Sequence, residues 1–309
     1  MKRLIAILLS VFFVVGFTSC NKIEEEIPEP PVTSTTDEKE YPFHIDDKEV
    51  EREPGRVVSL SPSLTEITYT LGYGGKLVGV SDSCDYPEAT TDLPQAGNVH
   101  TPDLDKLREL APECLLISSD LVEEDLKQVE GMGILVIKIA PAKSLEDLER
   151  VYRTLGSVLG GRITGGKVGG DLYALMTARI YELRTVVKRS EKSCYLIRML
   201  NNTVATGDTF TGDLLEQLGL QNLAEDSTGW ALASDKVAQT NPALLFVDNS
   251  VDIEEVKRCP LYQNSDAVKN EAIYPVNTLL FERQSKRLMQ ELEVMARMAY
   301  PDGFKGSAA

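Results

Sequence analysis

The chain has 309 residues, with 32 lysines and arginines against 48 aspartates and glutamates, for a net charge of −16. That balance excludes a nucleic-acid binder, because neutralising phosphates needs a basic face. Five cysteines without a CxxC pair exclude a disulfide-dense scaffold.

Residues 1–20 read as a signal peptide. Lys2 and Arg3 precede an apolar run over 4–17 that is too short for a permanent membrane span. The run ends in Phe17-Thr18-Ser19-Cys20, which resembles a lipobox and predicts cleavage before Cys20 with acylation of that residue. Several acyl chains on one residue anchor firmly. Residues 21–54 hold twelve acidic and four basic residues together with Pro28, Pro30 and Pro31, and predict a disordered acidic linker. The remaining body, residues 55–309, still carries 26 basic against 36 acidic residues and suffices for a sizeable core.

Within the body, short β-rich runs alternate with helical stretches. Strands are predicted at 57–60, 77–80, 114–117 and 134–137 in an N-terminal lobe over 55–160. A second set at 194–197, 244–247 and 272–275 falls in a C-terminal lobe over 191–309. Apolar strands separated by helices imply an α/β class with parallel sheets covered on both faces. Leu172, Leu175, Met176, Ile180, Leu183 and Val187 recur at helical spacing, so one long backbone helix within 161–190 is expected to join two Rossmann-like lobes. The body also echoes itself. Asp105-Lys106-Leu107 leads through Pro112 into an apolar run, and Asp235-Lys236-Val237 leads through Pro242 into another, about 130 residues later.

Most catalytic and metal chemistries find no support in these residues. Gly161-Arg162-Ile163-Thr164-Gly165-Gly166-Lys167-Val168 narrowly misses a phosphate loop, since Val168 stands where a hydroxyl must hold magnesium and no strand comes before it. Its glycines are expected to loosen the turn into the long helix. The two histidines are His44, in the expected linker, and the isolated His100, so neither a metal site nor a nucleophile–histidine pair is expected. The chain is therefore expected not to be an enzyme. Ligand binding by loops beyond the carboxyl ends of strands remains. That criterion selects Ser61, Tyr86, His100, Arg198, Phe281 and Arg283. Trp230, the only tryptophan, offers a stacking face, and Arg198 and Arg283 suit carboxylates or anionic chelate oxygens. The competing roles are a core anchor for Trp230, a plain loop residue for His100 and ordinary ion pairs for the arginines.

Arg56-Val57-Val58-Ser59-Leu60-Ser61-Pro62-Ser63-Leu64-Thr65-Glu66, followed by Cys84-Asp85-Tyr86-Pro87, resembles the periplasmic binding proteins for cobalamin and iron chelates. The similarity continues through Leu104-Asp105-Lys106-Leu107 and Thr206-Gly207-Asp208-Thr209-Phe210 to Phe281-Glu282-Arg283. It implies two α/β lobes bridged by one long helix, and delivery of a solute to the permease dimer of an ABC importer. It also implies docking of one acidic residue per lobe into arginine pockets of the permease. The matching positions are Asp105 and Asp235, where the family usually shows glutamate. The cobalamin-binding member lines its cleft with aromatics; the aligned positions here include Ser83, Val99 and Val204, while Trp230 and Arg283 are retained. With Arg198 added, an anionic ferric siderophore or haem is the first expected cargo and cobalamin or another corrinoid the second. No resident cofactor is expected. The resulting expectation is a monomeric, lipid-anchored extracytoplasmic protein, on the periplasmic side of the envelope. A second class of reading is a surface capture or sensory lipoprotein that works without a permease.

Overall fold

The computed structural model describes residues 39–187, 193–199 and 203–304. Cys20, the signal peptide and residues 21–38 of the expected linker lie outside the described residues. The rest of that linker is folded, contrary to expectation. Strands β1 (Phe43–Ile45) and β2 (Lys48–Val50) form an antiparallel hairpin in which Phe43 faces Val50 and Ile45 faces Lys48. Phe43 and Val50 are buried in the main core, whereas His44 and Glu49 point outward. Two apolar side chains on one face thus outweigh the acidic composition, because alternation and not average polarity decides which face of a strand is buried.

The N-terminal lobe runs β3 (Val57–Ser59), α1 (Pro62–Thr70), β4 (Leu77–Val80), α2 (Leu104–Leu110), β5 (Cys114–Ile117), α3 (Glu123–Gly131) and β6 (Leu135–Lys138). Its four strands are parallel, in the order β4-β3-β5-β6. All four residues of β5 are buried, as a central parallel strand with helices on both faces requires. Among them is Cys114, whose thiol is pushed up to about 12 by burial; Cys84, Cys114 and Cys259 are all free.

Helix α4 (Leu145–Gly160) follows, and α5 (Gly166–Val187) after it is the long backbone helix, 22 residues and so about 33 Å at 1.5 Å per residue. The C-terminal lobe then runs β7 (Ser193–Met199), β8 (Thr203–Val204), α6 (Phe210–Gln217), β9 (Gln221–Asn222), α7 (Ser234–Gln239) and β10 (Leu244–Asp248). It ends with α8 (Ile253–Arg258), α9 (Asp266–Lys269), β11 (Ile273–Val276), α10 (Thr278–Arg283) and α11 (Leu288–Ala299). Strands β9, β7, β10 and β11 pair in parallel in that sequence, and β8 adds an antiparallel hairpin to β7. The spatial order β9-β7-β10-β11 repeats β4-β3-β5-β6. The echo in the sequence is therefore a repeat of topology: α2 feeds β5 as α7 feeds β10.

Between the lobes the structure departs from a simple strut. Gly161 has φ 93° and ψ 150°, which breaks the helix, and the π-turn Gly161–Gly165 sends the chain back on itself. Helices α4 and α5 pack backbone against backbone: a Cβ on Gly169 would lie 2.2 Å from the Tyr152 carbonyl oxygen, and one on Gly156 would lie 2.2 Å from that of Gly165. The glycines at 156, 165 and 169 thus bring two helices together; of these, Gly165 belongs to the loop whose glycines were expected only to loosen a turn. The near-miss phosphate loop also holds an anion, though an internal one. The amides of Ile163 and Thr164 donate to the Glu40 carboxylate at 2.9 and 3.2 Å, and the Thr164 hydroxyl joins them. These bonds, the hydroxyl first, hold the Glu40 carboxyl below its usual range.

Residues of α1, α4, α5, α6 and α11, including Leu64, Tyr152, Ile180, Phe210 and Leu292, belong to one continuous core spanning both lobes. Separate clusters cover the outer face of each sheet. The lobes accordingly share a hydrophobic interior. We expect Gly169→Val to lower stability by about 1–3 kcal/mol in thermal or denaturant unfolding, as overpacking does. Gly131→Ala, where a Cβ meets nothing within 4 Å, should shift it by less than about 0.5 kcal/mol.

Candidate functional site

The carboxyl ends of both sheets face one open cleft of about 600 Å³, within the roughly 300–1,000 Å³ of small-molecule sites. The N-terminal lobe lines it with Ser61 and Ser63 at the start of α1 and with Ser83, Val99 and Ser118. The C-terminal lobe contributes Arg198 and Trp230, the start of α6, Leu279 and Phe281 to Arg283 from α10, and Gln284 just after it. Helices α1 and α6 are capped by Ser61, which accepts from the Leu64 amide, and Thr209, which accepts from the Gly212 amide. Both therefore direct the positive ends of their dipoles to the cleft.

The cleft floor is fastened by a cluster that crosses the lobes. Glu66 on α1 is 2% exposed, yet its carboxylate meets three groups from the last residue of α10 and the segment after it. The Ser285 hydroxyl donates to it at 2.6 Å, the Arg287 guanidinium lies at 2.9 Å, and Nε of Arg283 lies at 3.5 Å. Burial pushes the Glu66 carboxyl up, opposed by the Ser285 hydrogen bond and the two arginines. Beside it, the side-chain amide of Gln284 both donates to and accepts from the Ala142 backbone at 2.8 Å. Gln284 sits at φ 51°, with its own carbonyl accepting from the Tyr152 hydroxyl at 3.2 Å. The Ser63 hydroxyl completes the seam by donating to the Arg283 carbonyl at 2.7 Å.

A second device sets Trp230, whose backbone adopts φ 62°. Its amide donates to the Thr206 hydroxyl oxygen at 3.1 Å, and the Gly229 amide donates to the Asp208 carboxylate at 3.0 Å. The Thr206 hydroxyl in turn donates to Asp208 at 2.6 Å. Gly207 admits no side chain, since a Cβ there would lie 1.9 Å from the Glu225 carbonyl oxygen. The Thr206 to Phe210 motif thus clamps the tryptophan loop and caps α6. Trp230 is half-buried, and one ring face carries the Arg198 guanidinium at 5.1 Å.

Of the residues selected from sequence, Ser61, Arg198, Trp230, Phe281 and Arg283 line the cleft, and Tyr86 and His100 do not. The Tyr86 ring lies under the Arg287 guanidinium at 4.2 Å. His100 is exposed on the rim with Nδ1 3.3 Å from the Ser119 hydroxyl. Ser61 is 1% exposed and its hydroxyl serves the helix cap. The arginines are less available than expected: Arg198 is ion-paired to Glu282, and Arg283 spans Glu66, Asp85 at 3.4 Å and the Ser83 carbonyl at 3.3 Å. Sequence reasoning assigned no role to Glu66, Gln284, Ser285, Arg287, Thr206 or Asp208. A glutamate on the otherwise buried face of α1 was the one available signal.

Asp105 and Asp235 both lie in the first turns of the repeated helices α2 and α7. Each follows a cleft-lining residue, Val99 or Trp230, within one loop, so the topology puts both on the cleft side of their sheets. The Asp105 carboxylate is 95% exposed and paired with Arg108 at 2.5 Å, and Asp235 is exposed.

Comparison with known proteins agrees with this architecture. The family model described as periplasmic binding protein matches residues 57–277. An uncharacterized ABC transporter substrate-binding lipoprotein of Bacillus subtilis is 28% identical over 276 residues, covering 86% of this chain and 88% of the relative. The vitamin B12-binding protein of Vibrio vulnificus is 24% identical over 243 residues, covering 77% of this chain and 87% of the relative. The crystal structure of a possible iron-binding, periplasmic solute-binding protein from Staphylococcus epidermidis superposes with a TM-score of 0.71 at 24% identity, covering 81% of this chain and 100% of that one.

Two predictions follow from the seam and the clamp. Glu66→Leu strands the guanidinium of Arg283, which is 11% exposed, and should cost about 3 kcal/mol in denaturant unfolding, with Glu66→Gln milder. Asp208 is held below the usual carboxylate range by the Thr206 hydroxyl and then the Gly229 amide. A lowered folded pKa means its stabilising contribution is complete above about pH 4 and fades as pH falls through the folded value. Trp230 emission should therefore hold from neutral pH to about pH 4 in the native chain. In Asp208→Ala it should be shifted already at neutral pH; identical emission would dismiss the clamp.

Proposed function

We propose, because the chain belongs to the periplasmic binding protein family, that it captures a small metal chelate in the interlobe cleft and hands it to an ABC importer. The observation that carries the reading is the cleft itself, where loops from two topologically repeated lobes converge on Trp230, Phe281 and Arg198. The cargo is an iron chelate (siderophore or haem) or a corrinoid. These classes are supported by the vitamin B12-binding relative and by the possible iron-binding structural neighbour. The protein acts as a carrier and not as an enzyme, as a monomer on the extracytoplasmic side of the membrane. Acylated Cys20 holds it there; the lipobox-like sequence and the lipoprotein relative support this anchor.

Asp105 and Asp235 dock the permease, one from each lobe. Their equivalent positions in the repeat, their exposure and their place on the cleft side support that role. Each also favours its helix dipole, and the two roles are compatible. Charge reversal at both, Asp105→Lys with Asp235→Lys, should leave chelate affinity unchanged while uptake in cells falls to background. Undiminished uptake would favour permease-independent capture instead.

Ligand affinity should respond to the cleft wall. Arg198→Ala removes both the cation over Trp230 and the partner of Glu282, and should weaken binding by about tenfold, or 1.4 kcal/mol. Quenching of Trp230 by haem, cobalamin and ferric siderophores measures this directly, since no other tryptophan contributes. If no chelate binds even at high micromolar concentration, the assignment of cargo fails.

A further inference from the structure

We infer that the cleft takes a chelate whose metal is already fully coordinated, and recognises it through its organic periphery; this rests on the chelate-binding reading above. The distinction divides the cargo classes. A haem iron, or a metal in a partly wrapped chelate, keeps open positions that a protein fills with imidazole, phenolate, thiolate or thioether. A metal with a complete set of donors offers only the outer surface of its ligand.

The described residues facing the cleft supply the second kind of contact. They present the apolar faces of Val99, Phe210, Leu279 and Phe281, serine and threonine hydroxyls, and the Trp230 ring with Arg198 stacked on it. The cleft's carboxylate, Glu282, is already ion-paired to Arg198. Among the described residues, the nearby groups able to enter an iron's coordination sphere are placed elsewhere, the Cys84 thiol among them at 3.3 Å from the Thr65 and Ser81 hydroxyls. Arg287 covers the Tyr86 ring at 4.2 Å, and the exposed His100 rests on the rim against Ser119. Among the described residues no cluster of three or more His, Cys, Asp or Glu side chains could hold a metal ion. The energy of capture therefore comes from apolar burial, hydroxyl hydrogen bonds and one guanidinium, all directed at the ligand's exterior.

The test uses four probes on the intact protein, read by Trp230 quenching and by the probes' own absorption: cyanocobalamin, a ferric trihydroxamate, haemin and metal-free protoporphyrin IX. Cyanocobalamin or the trihydroxamate should bind with an unchanged metal-centred spectrum, and replacing iron by gallium in the trihydroxamate should alter its Kd by less than about threefold, or 0.7 kcal/mol. Haemin should bind no better than protoporphyrin and keep its Soret band. Haemin that binds about tenfold more tightly than protoporphyrin with a shifted Soret band, and loses that shift in His100→Ala or Tyr86→Phe, would overturn this inference alone. The chain would then still be a chelate-binding protein. Silence with all four probes would overturn both.

Discussion

A carboxylate buried as deeply as Glu66 cannot be left to itself, because an ion withdrawn from water needs charged and hydrogen-bonding partners in place. Here those partners come from the other lobe. Ser285, Arg283 and Arg287 lie more than two hundred residues away in the chain, and they reach α1 only when the end of α10 and the segment after it are seated against the N-terminal lobe. Burial alone would raise the carboxyl and disfavour the ion, and the two arginines and one hydroxyl oppose this. The pair of Gln284–Ala142 hydrogen bonds adds a fixed register to the same seam. Once this segment is docked, the floor of the cleft is set.

Everything around the cleft inherits that geometry. Arg283 turns toward Glu66, Asp85 and Ser83, so it braces the wall more than it reaches for cargo. Tyr86 is held beneath Arg287 and leaves the site. The opposite wall depends on Asp208 and Thr206, which hold the tryptophan loop where Trp230 lines the cleft. Behind both walls, α4 and α5 share one core with α1, α6 and α11. A shared interior opposes large swings between the lobes, since separating them would expose apolar surface at about 25 cal/mol for each Å².

Much of the fold was legible in the sequence because its signals are local. Apolar runs such as Leu115 and Leu116 mark buried parallel strands, and the two Asp-Lys helices mark the repeat. The hairpin at Phe43 and Val50 was hidden because acidic neighbours dominate the average composition of that stretch. The glycine-rich turn was read for what it lacked as a phosphate loop, while its occupant, Glu40, stands more than a hundred residues earlier. The site was legible in outline only. Ser61, Arg198, Trp230, Phe281 and Arg283 come together, yet the states of the arginines depend on Glu282, Glu66 and Asp85, and no periodicity reveals such pairings. Tyr86 and His100 share loops with cleft residues but point elsewhere, which strand-end reasoning cannot separate.

The most direct measurement is a crystal structure of the protein grown with a saturating chelate. Density for the chelate is expected between Trp230 and the Ser61–Ser63 and Val99 side, with the Glu66–Arg287 and Gln284–Ala142 contacts intact. Density outside the interlobe cleft, or a chelate that enters only after those contacts have parted, would contradict it.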